Sequence, residues 1–145
     1  MVVIAIGSDH GGYSYKEEIK QHLIAGGYEI IDVGTTSTES CDYPIYAKKV
    51  ATLVSTNQAE KGILICGTGI GMSITANKFK GIRAALCGDT FSAEATRKHN
   101  DSNILCLGER VLDKELALEI VDTWLNTEFE GGRHQKRIDM IEQEF

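Results

Sequence analysis

The segment Gly62-Ile-Leu-Ile-Cys-Gly-Thr-Gly-Ile-Gly-Met-Ser73 constrains the fold more than any other part of this 145-residue chain. Ile63, Leu64 and Ile65 form an uninterrupted branched apolar run, the pattern of a strand buried on both faces of a parallel sheet. The run ends in Cys66, three glycines alternate beyond it at Gly67, Gly69 and Gly71, and Ser73, Ile74, Ala76 and Lys78 continue in helix-compatible composition. A strand that feeds a helix through a glycine turn is part of a βαβ unit, and open sheets of such units bind ligands at the carboxyl ends of their strands. Alternating glycines let successive backbone N–H groups converge on one point, which suits an oxyanion or a phosphate. The positive end of the following helix favours negative charge at the same corner. Cys66 therefore reads as a base or nucleophile beside an oxyanion hole. The bland reading stands beside it, because glycine turns are common in α/β folds and buried cysteines often act as small hydrophobes.

The loop does not match the better-known phosphate motifs. A dinucleotide fingerprint would need glycine at Met72, a Cys-x5-Arg phosphatase loop would need arginine there, and no Gly-x-x-x-x-Gly-Lys occurs in the chain.

The rest of the sequence alternates strand and helix signals with short connections. Residues 2–6 read as a first strand, 13–25 as a helix with Tyr15, Ile19 and Leu23 on one face, and 28–33 as a second strand. Asp42 and Pro44 open a helix whose Tyr46, Val50, Leu53 and Val54 form a buried stripe. The helix after Cys66 is expected to run to about Lys80-Gly81, followed by a strand at 83–87, a helix capped by Asp89 and ending near His99, and a strand at 103–107. Asp113 caps a further helix, and a short one follows Gly132. Five βα units of this kind predict one domain over residues 1–145. It is an α/β, Rossmann-like, three-layer α/β/α fold with a five-stranded parallel sheet and a C-terminal helical tail.

Composition narrows the function classes. Hydrophobic content of 42% and charged content of 25% are those of an ordinary soluble protein, and a formal charge of −6 argues against nucleic-acid binding. No apolar run has membrane-spanning length, and the opening MVVIAIGSDH lacks a basic stretch before its apolar residues, so no membrane partner and a cytoplasmic location are expected. Cys41, Cys66, Cys87 and Cys106 lie 25, 21 and 19 residues apart, with no C-x2-C pair, which argues against structural zinc and suits reduced thiols.

Right-handed crossovers put all strand carboxyl ends on one edge, and polar residues collect there. Strand one ends in Gly7-Ser-Asp-His-Gly-Gly12, strand three in Cys66, and Gly108-Glu-Arg110 follows strand five. Asp9 could equally be a helix cap, and His99 with Asn100 an ordinary helix C-terminus. His99 sits on the opposite edge of the sheet, so it reaches the Cys66 site only around the sheet's end or from another subunit. Arg133 and Arg137 share a helical face, which fits either a solvated surface pair or two guanidinium forks around a phosphate dianion.

Taken together, these motifs resemble the ribose/galactose phosphate isomerase family along essentially the whole chain. The resemblance rests on Gly7-Ser-Asp-His-Gly-Gly12, Asp42-Tyr-Pro44, Ile65-Cys-Gly-Thr-Gly-Ile-Gly71 with Ala76-Asn-Lys78, His99-Asn-Asp101 and Glu130-Gly-Gly-Arg-His134. It implies an aldose–ketose isomerase of the pentose phosphate pathway, interconverting ribose 5-phosphate and ribulose 5-phosphate through a cis-enediolate, with no metal and no cofactor. An isomerase of allose or galactose 6-phosphate is the alternative within the family. By the same resemblance Cys66 is the base, backbone N–H groups of Gly67, Thr68, Gly69, Ile70 and Gly71 hold the oxyanion, and Thr68 passes a proton between O1 and O2. His99 opens the sugar ring with Asp9 assisting, Arg133, Arg137, Arg110 and His10 bind the phosphate, and Asn100 binds a hydroxyl. The family's site lies between two subunits, which implies a homodimer with a shared active site, whose dimers could pair into tetramers. One branch of the family carries a glutamate base at the position of Met72; methionine accepts no proton, so Cys66 remains the base in this loop. A receiver-type signalling domain shares the βα pattern but would need an aspartate at position 66 and paired acids where Asp9-His10 stand.

Overall fold

The structure, a computed structural model, describes residues 1–144. Strands β1 (Val3–Ser8), β2 (Glu29–Asp32), β3 (Lys61–Cys66), β4 (Ala84–Leu86) and β5 (Ile104–Gly108) pair in parallel in the order β2-β1-β3-β5-β4. Helices α1 (Tyr13–Ala25), α2 (Tyr43–Ser55), α3 (Ile70–Ala76), α4 (Thr90–Asn100), α5 (Lys114–Leu125) and α6 (Arg133–Ile141) alternate with the strands and close the chain. This is the α/β Rossmann-like sheet with a C-terminal helix that the sequence predicts. Strand order reverses between β1 and β3, and the crevice at such a switch point is where open α/β sheets take their ligands. No helix among the described residues is long and apolar enough to cross a membrane.

Side-chain alternation along the central strands divides the core into two layers. Ile63 and Ile65 pack with Ile19, Leu23, Ile120 and Trp124 on the face covered by α1 and α5. Leu64 and Cys66 pack with Val50, Met72, Ala76 and Cys106 on the face covered by α2 and α3. Met72 is fully buried in that layer, so its side chain serves packing.

Some local details differ from the sequence expectation. β1 runs on to Ser8, because Ser8 N–H donates to Gly34 O at 2.8 Å and Thr35 N–H returns a bond to Ser8 O at 2.8 Å. α3 stops at Ala76 instead of continuing to Lys80-Gly81. The Asn77 amide there bonds the Ala84 backbone in both directions, at 3.0 and 2.8 Å, and this anchor turns the chain toward β4. Asp42 occupies the N-cap position of α2 but makes no capping bond, whereas Asp89 and Asp113 accept from Ser92 and Leu116 N–H as caps do.

Hidden in α1 is a charged network that apolar periodicity does not reveal. Lys16 is 1% exposed, and its Nζ lies 2.7 Å from both Asp32 Oδ2 and Glu17 Oε2. Lys20 joins the same carboxylates at 2.8 and 3.1 Å, and Gly34 N–H donates to Asp32 Oδ1. Burial pushes the Asp32 carboxyl up, but Lys16, Lys20 and the Gly34 N–H outweigh it and hold the group below the ordinary range. The bond from Lys16 similarly lowers Glu17. Both carboxyls titrate lower folded than unfolded, so their contribution is full above the unfolded values and disappears as the pH falls through the folded ones. Asp32→Asn should therefore cost about 1–3 kcal/mol at pH 7, since it leaves a buried ammonium under-compensated. Urea titrations of the two proteins should differ at pH 7 and converge below about pH 3. A constant difference across that range would show that Asp32 acts through packing alone.

Candidate active site

Three strand ends meet at the switch point. Asp9 follows β1, Cys66 ends β3, and Glu109 and Arg110 follow β5. Backbone bonds stitch the loops together: Asp9 N–H donates to Ile65 O at 3.3 Å, Glu109 N–H to Cys66 O at 2.9 Å, and Arg110 N–H to Gly67 O at 3.0 Å. Asp9 and Arg110 are thereby held on either side of Cys66. A 3-10 turn at His10–Gly12 crosses directly over β3, where a Cβ on Gly12 would sit 2.4 Å from Ile65 O, so only glycine allows the approach.

Cys66 is 6% exposed, and its Sγ accepts the Gly69 N–H at 3.0 Å. Gly69 holds φ at +80°, a backbone region open to glycine, and a Cβ there would lie 2.9 Å from the Leu107 backbone. The turn then enters α3. Among the described residues, the N–H groups of Gly67, Thr68 and Gly71 have no protein acceptor, so they can serve an anionic ligand. Thr68 is exposed, with its hydroxyl accepting from Ile70 N–H at 3.3 Å. The Arg110 side chain lies across Gly67 and Gly11, with Nη1 and Nη2 3.1 and 3.4 Å from where their Cβ atoms would be. Positive charge and free N–H groups thus flank the thiol. Gly69→Ala should cost about 2–4 kcal/mol, from strain in the loop and collision with Leu107, and should displace the N–H that holds Sγ. A thermal midpoint within experimental error of the parent would show that the loop relaxes freely.

Asp9 caps the 3-10 turn through Oδ1, which accepts Gly11 N–H at 2.9 Å, so the capping role considered for it is real. At 8% exposure it still borders the Cys66 loop. His10 Nδ1 accepts the Cys41 N–H at 3.2 Å, which leaves Nε2 as the nitrogen that donates when the ring is neutral. Tyr43, part of the Asp42-Tyr-Pro44 motif but given no role in the sequence reading, packs its ring where a Gly71 Cβ would be, 2.5 Å away. Its place beside the loop had no periodic signal, because Tyr43 is the first residue of α2, in the crossover from β2 to β3, and meets Gly71 only once α2 packs beside α3.

His99, Asn100 and Arg137 lie elsewhere. They line a cavity of about 410 Å³ with His134, Ile138 and Ile141. α4 returns toward the amino ends of the strands, where Asn103 O receives the Gly62 N–H at the start of β3. From Gly62 to Cys66 the strand alone covers roughly 13 Å at about 3.3 Å per residue. Asn100 and Asp101 carbonyls accept from Arg83 Nε, and Arg97 binds Asp101 and Ser102, so this end of α4 is firmly placed. Glu130 N–H donates to Lys98 O and brings the tail alongside. Arg133 begins α6 and is exposed, but only Arg137 of the pair lines the cavity. The residues singled out from sequence therefore fall into two groups in one chain. Asp9, His10, residues 66–71 and Arg110 form one, and His99, Asn100 and Arg137 with nearby Arg133 form the other.

The profile of the family described as Ribose/Galactose Isomerase matches residues 4–141. This chain belongs to the ribose/galactose isomerase family. Escherichia coli (strain K12) ribose-5-phosphate isomerase B is 53% identical over 141 residues, covering 97% of this chain and 95% of that protein. The putative sugar phosphate isomerase YwlF of Bacillus subtilis (strain 168) is 58% identical over 139 residues, covering 95% and 93%. The solved structure of Clostridium thermocellum ribose-5-phosphate isomerase B superposes with a TM-score of 0.96 at 56% identity, covering 97% of this chain and 95% of that one. Membership in this family of isomerases agrees with a thiol set among anion-binding groups at a strand end, and it removes the receiver-type alternative.

Proposed function

We propose that this chain, acting as one domain over residues 1–145 in the cytoplasm, interconverts ribose 5-phosphate and ribulose 5-phosphate in the pentose phosphate pathway. The reading includes a metal-independent cis-enediolate route and a homodimer whose two sites are each completed by the other chain. The observation that carries it is the separation of the two residue groups, each chemically incomplete. One has a thiol base, an oxyanion hole and the Arg110 guanidinium, with His10 beside Asp9. The other has the half-exposed His99 imidazole, the Asn100 amide and two further guanidinium groups, but no base beside an oxyanion hole. A second copy supplies to each what it lacks. Exposed apolar side chains on α3, β4 and α4, namely Ile70, Ile74, Leu86 and Phe91, offer that copy a surface. Dimers of this kind can pair further into tetramers, which light scattering would measure.

Within such a site, phosphate is held by Arg110 and His10 from one chain and by Arg133 and Arg137 from the other. His99 of the partner subunit protonates the ring oxygen and, with Asp9, moves the anomeric proton, so that the furanose opens. Cys66 thiolate then takes the proton from C2. The N–H groups of Gly67, Thr68, Gly69, Ile70 and Gly71 surround the corner where the enediolate oxygens develop charge, and fixed donors contribute most there. In the resting state the Gly69 N–H is committed to Cys66 Sγ. Thr68 passes a proton between O1 and O2, Asn100 holds a sugar hydroxyl, and the proton on sulfur returns to C1.

Arg137→Ala should raise KM for ribose 5-phosphate about 10- to 150-fold with kcat little changed, the equivalent of a charge-assisted bond of about 1.5–3 kcal/mol. An unmoved KM would make Arg137 a solvated surface residue. The overall reading is tested by a coupled assay on ribose 5-phosphate, allose 6-phosphate and galactose 6-phosphate with a chelator present. Turnover confined to a hexose phosphate would reassign the substrate within the family, and turnover abolished by chelation would overturn the metal-free route.

A further inference from the structure

Glu130 and His134, in the Glu130-Gly-Gly-Arg-His134 motif, have no part in the scheme above, yet their side chains converge on His99. Glu130 Oε1 lies 3.4 Å from His134 Nε2 and 3.9 Å from His99 Nε2, and the three ligand-type atoms all fall within 4.8 Å of one another. A tetrahedral zinc ion with bonds of about 2.0–2.1 Å holds its ligand atoms about 3.3 Å apart. The His134–Glu130 distance already matches that edge, and the His99–Glu130 distance is half an ångström longer. His134 is 8% exposed on its side chain and therefore fixed, whereas His99 and Glu130 are 49% and 50% exposed, which leaves an entry path and room for a water as fourth ligand.

We propose that His99, Glu130 and His134 form an inhibitory site for a divalent transition ion, with Zn²⁺ the best fit. Two imidazoles and one carboxylate suit zinc, while magnesium and calcium prefer all-oxygen shells. The imidazole rings are now stacked, 4.5 Å between centroids and 22° from parallel. A metal lies in the plane of each imidazole it binds, so His99 turns out of the stack while His134 stays. Arg137 lines the same cavity, and a guanidinium charge there opposes a second cation. Inhibition follows because the metal occupies Nε2 of His99, the atom that would otherwise carry the ring-opening proton. Metal binding itself does not depend on that role, but its effect on catalysis rests on the function proposed above.

Chelator-stripped protein is titrated with ZnCl₂ by calorimetry, and turnover of ribose 5-phosphate is followed in parallel. One ion per chain is expected, with loss of turnover that a chelator reverses. Glu130→Gln, at an exposed position that preserves shape, and His134→Gln should each weaken zinc binding about tenfold or more. Unchanged affinity in Glu130→Gln would overturn the site even if His134→Gln failed to fold. Cobalt substitution provides a second check: a thiolate-to-cobalt charge-transfer band would place the ion on Cys66 or Cys41 and overturn the proposal. If zinc binds, both variants weaken it, and turnover is lost equally for ribose 5-phosphate and for an open-chain substrate, the metal site stands and the ring-opening role of His99 falls.

Discussion

Replacing Cys66 by alanine is expected to lower kcat for ribose 5-phosphate by about a thousandfold or more, within the range a positioned general base contributes. Folding should be retained. Cys66 is a small side chain at the rim of its core layer, and its removal leaves a small gap and one unmet N–H at Gly69, a cost of about 1–2 kcal/mol. Binding of the sugar phosphate should also persist, because the guanidinium groups assigned to the phosphate lie on other elements. A kcat within tenfold of the parent enzyme would rule out the thiolate base. Cys66→Ser should fail as well, since a hydroxyl is a far weaker acid than a thiol and supplies almost no anion at neutral pH. The other buried thiols do not substitute. Burial, reinforced by Asp89, pushes Cys87 up to about 11, and Cys106, wholly buried beside two further thiols, is raised further still.

The second large effect separates the two chemical steps. His99→Asn should reduce kcat/KM for ribose 5-phosphate by about a hundredfold or more while sparing a substrate that arrives open. Erythrose 4-phosphate is such a substrate, because its phosphorylated hydroxyl cannot close a furanose ring. A tetrose makes fewer contacts, so the decisive quantity is the mutant-to-parent ratio of kcat/KM for each sugar. A large loss on ribose 5-phosphate beside a small loss on the tetrose supports ring opening by His99. Equal losses would restrict His99 to binding or to the subunit interface and pass the proton transfer to Asp9 or another group. Mixing Cys66→Ala with His99→Asn chains adds an independent measure of the shared site. Heterodimers should recover one intact site from two inactive parents, and a mixture with no activity would mean each chain works alone.

Much of this was legible because the signals are local. The apolar run 63–65, the glycine spacing after Cys66, and the caps at Asp89 and Asp113 each follow from backbone and side-chain chemistry within a few residues. Element ends were less so. α3 stops where the Asn77 amide finds Ala84, a contact seven residues away that no helix propensity encodes. Lys16 carries no apolar or periodic signal in the sequence, and its burial depends on Asp32, which comes from a separate strand. Tyr43 shows the same limit at the site, since its position over Gly71 depends on how α2 packs against α3.

What the sequence by itself determined is the type of sheet, the edge on which its chemistry lies, and the identity of the thiol at its centre, because alternation, chain reversal and strand ends are short-range consequences of residue order. Tertiary structure decided which of these residues meet. It placed Asp9 and Arg110 beside Cys66 through loop-to-strand hydrogen bonds, and it gathered Arg137, Glu130 and His134 around His99, whose place on the opposite edge of the sheet already followed from strand and helix order. Proximity between segments far apart in sequence is set by strand order and by packing across the sheet, and neither is written in any one stretch of the chain.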